Sequence, residues 1–309
     1  MLNARTLRRG LPFLAVTIIL VPIFYMRPRT MSYFGLNLLL NLSVPLAFAT
    51  LAQMFIITVN DLDLSTGAFV SLVACISVRI LPTSVTLGVG ALLLCIIAYG
   101  LMGALIHLRN LPSIMVTLGM SFIWLGCSLL LLPNPGGSAP GWLLAAANCQ
   151  PPFVPLPIIV AVAIGVIVHF GLMKSAYGAV LRGTGGNATA VGRAGWSILG
   201  AKISAYTLAG LFGVIAGVVL AGITTSADAN IAGRYTLLSI AGVILGGGDF
   251  FGGRVSPIGA VLGAITLTLA GSFLSFVSVS TDWQIGAQGI ILIIVLAGRA
   301  ITAQEEKQI

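Results

Sequence analysis

The residues that could do chemistry are few in this chain and are widely separated. Of 309 residues, seven are acidic, two are histidine and four are cysteine. His107 and His169 have no carboxylate or cysteine at metal-ligand spacing, and no serine stands in a GxSxG nucleophile elbow. The sequence also lacks a P-loop pattern for binding and hydrolysing a nucleotide. It therefore favours a protein without catalytic residues, and a membrane enzyme is the weaker alternative.

Two aspartates, Asp61 and Asp63, stand between two long apolar runs in the stretch ITVNDLDLSTGAFVSLV, residues 57–73. Asp63 precedes a predicted helix, where a carboxylate can accept hydrogen bonds from the free N–H groups of the first turn and interact favourably with the helix dipole. We therefore predict that Asp63 caps this helix rather than contacting a solute directly. Asp61 is less constrained and is expected to face the cytoplasm or a partner protein.

The acidic residues are all predicted at helix ends, in loops or in the C-terminal tail. Asp61 and Asp63 are accordingly expected at a membrane exit, and no carboxylate is expected near the middle of the bilayer. Because a proton-coupled carrier usually needs an ionisable relay within the membrane, this pattern argues against ion-coupled transport. Sodium coordination by backbone carbonyls stays open as an alternative.

The composition indicates that lipid is the solvent of this chain. Hydrophobic residues make up 58% of the sequence and charged residues only 7%, with a mean hydropathy of +1.10, whereas a soluble domain carries about 25% charged residues. We predict an all-α polytopic membrane protein, one transmembrane domain over residues 1–309. The ten predicted spans are residues 11–26, 36–58, 64–81, 85–107, 112–132, 155–173, 198–222, 236–248, 256–279 and 285–299. The eighth is too short to cross a hydrocarbon core of about 30 Å unaided.

The positions of the lysines and arginines orient these spans. With a cytoplasmic N-terminus and alternating spans, eleven basic residues lie on the inside and four on the outside, which together account for all fifteen. The positive-inside rule therefore predicts that both termini are cytoplasmic. No basic run is interleaved with aromatic residues, so a nucleic-acid partner is not expected.

Two loops are long enough to carry a function. The outer loop, residues 133–157, is rich in proline and glycine and is predicted to hold one short helix from Trp142 to Ala147. The inner loop, residues 174–197, contains GGNATAVGRAG, in which a brief helix from Ala188 to Val191 is flanked by glycines. Since the chain has no visible energy source, this inner loop is the candidate docking element for a partner that supplies energy. A plain basic loop is the alternative.

Polar residues are concentrated on and beside the second predicted span. They are Asn37, Asn41, Gln53 and Asn60. Hydrogen bonds that pack helices together explain such residues most simply. The functional alternative is that they line a solute path, because a sugar needs neutral donors and acceptors along its route.

Four ordered motifs resemble the ribose-type permeases of bacterial ABC importers. YGAVLRGTGGNATAVGRAGWSILGAKISAYTLAGLFGVIAGVVLAG, residues 177–222, resembles the family's cytoplasmic loop and following helix. NDLDLSTG, residues 60–67, resembles its G-G-I-D-L-S-V-G segment, and LPSIMVTLGM, residues 111–120, its P-x-F-I-x-T-L-G-M motif. AGVILGGGDFFGGRVSPIGAVLGA, residues 241–264, resembles a fourth, glycine-rich segment. The similarity extends in the same order and spacing from about Tyr33 to Arg299.

The sequence departs from the family pattern at several positions. Asn60 and Asp61 stand where the family has Gly-Gly, and Asp249 stands where it has Ser or Thr. Arg193 and Trp196 are further differences, in the inner loop. These departures bear on the identity of the solute rather than on the permease assignment.

The resemblance implies a type II ABC importer-like permease with ten helices that works as a homodimer or heterodimer. A cytoplasmic ABC ATPase subunit would bind ATP and Mg²⁺, so that no cofactor is expected in this chain, and a periplasmic or lipid-anchored binding protein would deliver a sugar. The expected location is the bacterial inner membrane. The resemblance also implies a coupling helix that docks on the ATPase, with Asn187 as its cap. Its residues are Gly185, Gly186, Asn187, Ala188, Thr189, Ala190, Val191 and Gly192.

Two transport alternatives stay open at this point. One is the related group of permeases for branched-chain amino acids. The other is a stand-alone secondary carrier or channel, which would move solute without ATP or a partner.

Overall fold

A computed structural model describes residues 4–250 and 252–280, together with positions 283, 286, 289 and 290. Regular structure in these residues is helical, apart from one isolated antiparallel bridge between Gly136 and Ala227. This confirms the all-α prediction for the described part of the chain. The helices are α1 (Ala4–Met26), α2 (Tyr33–Leu40), α3 (Ser43–Thr58), α4 (Thr66–Arg79), α5 (Val85–Leu108), α6 (Ser113–Leu131), α7 (Gly141–Ala147), α8 (Leu156–Val166), α9 (Ala176–Arg193), α10 (Ile198–Thr224), α11 (Tyr235–Leu245) and α12 (Pro257–Phe276). A 3₁₀ turn, Pro28–Met31, precedes α2, and a π-helical segment, Ile167–Met173, continues α8.

Helix α3 forms the centre of the fold. It contacts α4, α8, α9, α10, α11 and α12, and every one of its 16 residues is buried. A helix that is apolar on all faces is stable only when protein or lipid surrounds it. The hydroxyls of Thr50 and Thr58 donate to the carbonyls of Leu46 and Met54 at 2.7 and 2.6 Å. These polar groups are therefore satisfied within the helix itself.

The number of spans differs from the prediction. Five helices are long and apolar enough to cross a membrane: 85–108, 113–131, 156–173, 198–224 and 257–276. The pair α2 and α3 counts as a sixth only if it is one span bent by 40°. The predicted count of ten is thus not confirmed by the described residues.

Short helices explain this difference. The third and eighth predicted spans, 64–81 and 236–248, correspond to α4 and α11, which have 14 and 11 residues. A helix rises about 1.5 Å per residue, so these two reach only about 21 and 16 Å, against a core of about 30 Å. The tenth predicted span falls almost entirely outside the described residues.

Glycines bring α11 and α12 into backbone contact. A Cβ added at Gly246 would meet the backbone of Gly259, and one added at Gly263 would meet the carbonyl of Gly242. Each helix thus presents two glycines, four residues apart, to the other helix. Small residues at this spacing allow close packing where lipid supplies little hydrophobic driving force.

A glycine face on α10 receives large side chains from two other helices. A Cβ added at Gly210 would meet Tyr99 of α5. A Cβ added at Gly213 would meet Phe69 of α4 at 2.7 Å. The same face continues at Gly217, which lies against Val73 of α4. Helices α4 and α10 therefore run side by side in the same direction.

The outer loop folds back on the protein. The short helix expected near Trp142 is confirmed as α7. Leu143 of this helix is buried in a cluster with Cys75 and Val78 of α4 and Ala221 of α10. The loop thereby closes over the ends of α4 and α10.

We predict that Gly246→Ala lowers the stability of the protein. Its new methyl group would overlap the backbone of Gly259, which cannot rotate away, and overpacking of this kind costs about 1–3 kcal/mol. The measurement is the apparent melting temperature of the purified protein in detergent. Gly126→Ala in α6 is the matched control, since a Cβ there meets open space. Equal melting temperatures for the two variants would contradict the packing of α11 on α12.

Candidate functional site

The inner segment predicted to dock a partner is a helix with a break in it. Within α9, Asn187 has φ −156° and ψ 84°, which are not helical values. Its side-chain oxygen accepts a hydrogen bond from the Ala190 N–H at 3.0 Å, as an N-cap residue does. A short second helix therefore begins after Asn187 and ends at Arg193. Thr189, Ala190 and Gly192 of this helix are exposed, as are Gly186 and Asn187 at the break before it.

The first half of α9 is anchored to the rest of the protein. Val180 and Leu181 are buried against Val59, beyond the end of α3, and against Ala201 and Ala205 of α10. The exposed second half is thus attached to a fixed first half. Movement of the exposed second half of α9 would therefore be transmitted to its anchored first half.

Three chain segments meet at what we term the inner junction, formed by residues 58–60, 182–186 and 252–253. A Cβ at Gly185 would meet the carbonyl of Thr58, and the Gly253 N–H donates to that same carbonyl at 3.2 Å. Gly252 and Gly253 have φ values of 79° and 75°, which favour glycine. The end of α3, the middle of α9 and the loop after α11 are therefore in direct backbone contact.

Asp61 forms an ion pair beside the inner junction. Its carboxylate lies 2.8 Å from Lys202 Nζ and also accepts from the Tyr206 hydroxyl at 3.3 Å. The exposed fractions of the two charged side chains are 17% for Lys202 and 9% for Asp61. Asp61 was expected to face the cytoplasm or a partner, and the structure corrects this, because the ion pair holds the α3–α4 linker against the first turns of α10.

Asp63 lies at the centre of a buried hydrogen-bond network. It is 1% exposed. One carboxylate oxygen accepts from Ser65 N and Ser65 Oγ at 2.6 and 2.7 Å, and the other accepts from Thr66 Oγ1 and Tyr99 OH at 2.9 and 2.7 Å. These four donors satisfy both carboxylate oxygens within the protein. The network adjoins the N-terminal end of α4, whose N-cap residue is Ser65 rather than Asp63. The carboxylate accepts the Ser65 N–H, so the predicted cap of the first turn is corrected to a turn residue just before the helix.

Gln53 completes this network from α3. Its amide nitrogen donates to Thr66 Oγ1 and the Asp63 carbonyl at 3.0 and 3.1 Å, and its amide oxygen accepts from the Asp63 N–H at 3.2 Å. This orientation of the amide matches every donor with an acceptor. Gln53 therefore ties the linker to the central helix.

The other polar residues of the second predicted span lie at separate levels. Asn37 is in α2, Asn41 is at the bend before α3, and both are half-buried. Asn60 is exposed at the inner junction with φ 61°, close to Gly252. The structure thus spreads these asparagines from α2 to the end of α3, and only Gln53 joins the Asp63 network.

Asp63 lies deeper than the sequence suggested. Its partner Tyr99 is nine residues before Leu108, the end of α5, or about 14 Å along the helix axis. The nearby Gly67 N–H donates to Thr236 Oγ1 at 2.9 Å, so α4 and α11 both begin inside the protein. The expectation that this carboxylate lies at a membrane exit is therefore wrong.

Sequence reasoning missed Tyr99, Tyr206 and Lys202 as partners of the two aspartates. The signal was present, because a tyrosine inside an apolar span needs a hydrogen-bond partner when it is buried. What the sequence lacked was the pairing, since Tyr99 is 36 residues from Asp63 and Tyr206 is 145 residues from Asp61.

These features define a polytopic membrane protein with an exposed inner segment linked to a buried polar core, an arrangement suited to a transport subunit. Residues 35–296 match the family described as branched-chain amino acid transport system / permease component, and the chain belongs to this family. The resemblance of its motifs to the permeases of sugar ABC importers is confirmed by the relatives described next.

The chain is similar to several bacterial permeases. It is 29% identical over 271 residues to the probable ABC transporter permease protein YphD of Escherichia coli (strain K12), covering 85% of this chain and 80% of that protein. It is 27% identical over 295 residues to the ribose import permease protein RbsC of Bacillus subtilis (strain 168), covering 92% and 90%. Identity to the galactose/methyl galactoside import permease protein MglC of Escherichia coli (strain K12) is 26% over 318 residues, covering 94% of each. No solved structure matches the chain.

We predict that Tyr99→Phe destabilises the protein more than Tyr33→Phe. The first removes a hydrogen bond to a buried carboxylate, worth about 1.5–3 kcal/mol, whereas the second removes a bond to the neutral Pro151 carbonyl, worth about 0.5–1.5 kcal/mol. Apparent melting temperatures in detergent measure the difference. A larger loss for Tyr33→Phe would contradict the buried hydrogen bond from Tyr99 to Asp63.

We also predict that Lys202→Met and Asp61→Asn are coupled. Each single change leaves a partly buried charge or acceptor without its partner, and the double variant relieves this. The coupling should lie between the roughly 0–1 kcal/mol of exposed pairs and the roughly 3–5 kcal/mol lost when a fully buried pair is broken. A double-mutant cycle on thermal stability in detergent measures it. Strict additivity would show that the ion pair contributes nothing.

Proposed function

We propose that this chain is the integral-membrane permease subunit of an ABC importer and forms the translocation pathway for a sugar or sugar-like solute. Membership of the permease family and the similarity to permeases named for ribose and for galactose support the proposal. Two of these relatives, RbsC and MglC, are named for a solute, and both solutes are sugars. This favours a sugar over a branched-chain amino acid. The chain itself performs no catalysis in this proposal.

The proposed partners are those of an ABC importer. A cytoplasmic ATPase subunit would bind ATP and Mg²⁺ and supply the energy, and a periplasmic or lipid-anchored binding protein would deliver the solute. A second permease subunit, identical or related, would complete the pathway in the bacterial inner membrane. The distribution of lysine and arginine supports cytoplasmic N- and C-termini.

The exposed helix after Asn187 is the proposed docking element for the ATPase. The observation that carries this role is its attachment: Gly185 is in backbone contact with Thr58, at the end of the central helix α3. A push on the exposed helix would therefore reach α3 through the inner junction. It would also reach α10, which begins only a few residues later and holds Asp61 through Lys202.

The predicted path residues divide into two groups under this proposal. The Gln53 amide is occupied by Asp63 and Thr66, so its role is to hold the α3–α4 linker. Asn37, Asn41 and Asn60 stay candidates for contact with a passing solute. Asp63 is proposed to stabilise the start of α4, because its carboxylate is fully engaged and 1% exposed.

We predict that Gly186→Arg or Ala190→Arg abolishes solute-stimulated ATP hydrolysis and leaves membrane insertion intact. Both positions are exposed, and a Cβ at Gly186 meets nothing within 4 Å, so an arginine there would block docking without disturbing the fold. The assay is ATP hydrolysis in proteoliposomes that contain the permease, its ATPase and its binding protein, with and without sugar.

Gly141→Arg in the outer loop is the matched control, since that position is also exposed and open. Normal stimulation in the Gly186 and Ala190 variants would exclude the docking role. Sugar uptake by the permease alone, without ATP or partners, would instead identify a stand-alone carrier or channel.

A further inference from the structure

The segment between α10 and α11 is non-helical and runs alongside α4. Residues 225–234 contain no helix. Ala227 lies in the same cluster as Val78, near the outer end of α4, whereas Thr236 accepts a hydrogen bond from Gly67, at its inner end. Eleven residues of α4 separate these contacts, or about 16 Å of helix. The segment therefore enters the protein to about half the thickness of a bilayer core.

Such a segment has to be buried in protein or to line an aqueous cavity, because lipid cannot satisfy its backbone groups. Part of it is satisfied by the protein, since the Ala232 N–H donates to Ser71 Oγ at 3.0 Å. Another part borders a cavity of about 520 Å³. That volume is within the roughly 300–1,000 Å³ of small-molecule sites. The residues that line it are Asp228, Asn230, Ile231, Gly233, Arg234 and Leu237.

The cavity combines polar and apolar groups as a sugar requires. Asp228 offers a carboxylate acceptor, Arg234 a fork of donors and Asn230 an amide that does both, which suits neighbouring hydroxyls. Ile231 and Leu237 offer apolar surface for the C–H face of a sugar ring. Among the described residues, Arg234 makes no ion pair, so its guanidinium is open to a ligand.

The cavity also borders the buried core described above. A Cβ at Gly67 would meet the carbonyl of Gly233, which lines the cavity, at 2.8 Å. Gly67 directly follows Thr66, whose hydroxyl donates to Asp63. A solute in the cavity would thus lie next to the N-terminal ends of α4 and α11, where the two short helices begin inside the protein.

We propose that this cavity is the outer solute-contact site of the translocation pathway and that it takes a neutral polyhydroxy solute of monosaccharide size. This inference rests on the proposed function and deepens it by naming where the solute first contacts the permease. Asn230 and Arg234 determine which sugar passes. Asp228 fixes the turn that presents them, because one of its carboxylate oxygens accepts from the Asn230 N–H at 2.6 Å.

The first test compares Arg234→Gln and Asn230→Ala with Arg79→Gln. Arg79 is an exposed arginine near the outer end of α4 and does not line the cavity, so it controls for loss of an outer positive charge. The probes are D-ribose, D-galactose and D-allose, and the readout is the ATP-driven maximal uptake rate in proteoliposomes at saturating binding protein. We expect the ratio of rates among sugars to change by about fivefold or more in the two cavity variants and to stay constant in Arg79→Gln.

Two results would overturn the inference while leaving the proposed function in place. One is a uniform scaling of all uptake rates, and the other is a change only in the concentration of binding protein that gives half-maximal uptake. The second result would make the cavity rim a docking surface. If the wild-type complex imports no sugar, the proposed function fails instead, and the sugar assignment of the cavity fails with it.

A labelling experiment tests the site without relying on transport rates. Asn230→Cys is introduced together with Cys149→Ser, because Cys149 is exposed in the outer loop. We expect a membrane-impermeant maleimide to label Cys at position 230 from outside intact cells, and saturating sugar to slow the labelling of the complex about fivefold or more. Absence of outside labelling, or labelling that no sugar slows, would contradict an outer solute site.

Discussion

The need to satisfy every polar group inside the protein governs this structure, because lipid offers no hydrogen bonds in return. The clearest case is the Asp63 carboxylate, which receives four donors from Ser65, Thr66 and Tyr99. The Gln53 amide forms hydrogen bonds with the backbone N–H and carbonyl of Asp63. Together these contacts allow α4 to begin inside the protein rather than at its surface. Once α4 starts there, α11 can start beside it, joined through Gly67 and Thr236.

Close backbone contact is the second requirement, and glycine meets it at the points where segments cross. The pairs between α11 and α12 let two helices touch along their backbones, and Gly185 and Gly253 do the same for the inner junction. Contacts of this kind have little freedom to deform, since no flexible side chain lies between the two chains. The exposed helix of α9 is therefore attached to α3 by a stiff connection, which suits the transmission of a push.

Much of the helical content could be predicted from the sequence, and the depth of its elements could not. The apolar runs gave the positions of α5, α6, α10 and α12 to within a few residues, because each of these helices is about as long as a span or longer. The predicted spans around α4 and α11 are longer than the helices found there. The hydropathy pattern does not mark the residue at which a helix starts inside the protein. The linkers between the second and third predicted spans and between the seventh and eighth are thus partly internal. Pairings such as Tyr99 with Asp63 depend on contacts distant in sequence.

Two short helices that begin inside the protein create a particular electrostatic environment. The N-terminal ends of α4 and α11 meet near Gly67, and the aligned peptide dipoles give each end a partial positive charge. On one side, the fixed carboxylate of Asp63 balances that positive charge. On the other side the cavity presents Asp228 and Arg234, charges of opposite sign, next to a neutral amide. A neutral solute with many hydroxyls can pass such a place without a large Coulomb barrier, whereas a small ion would be held by one charge and repelled by the other. Charges of both signs around the cavity therefore suit the neutral polar cargo of the proposal.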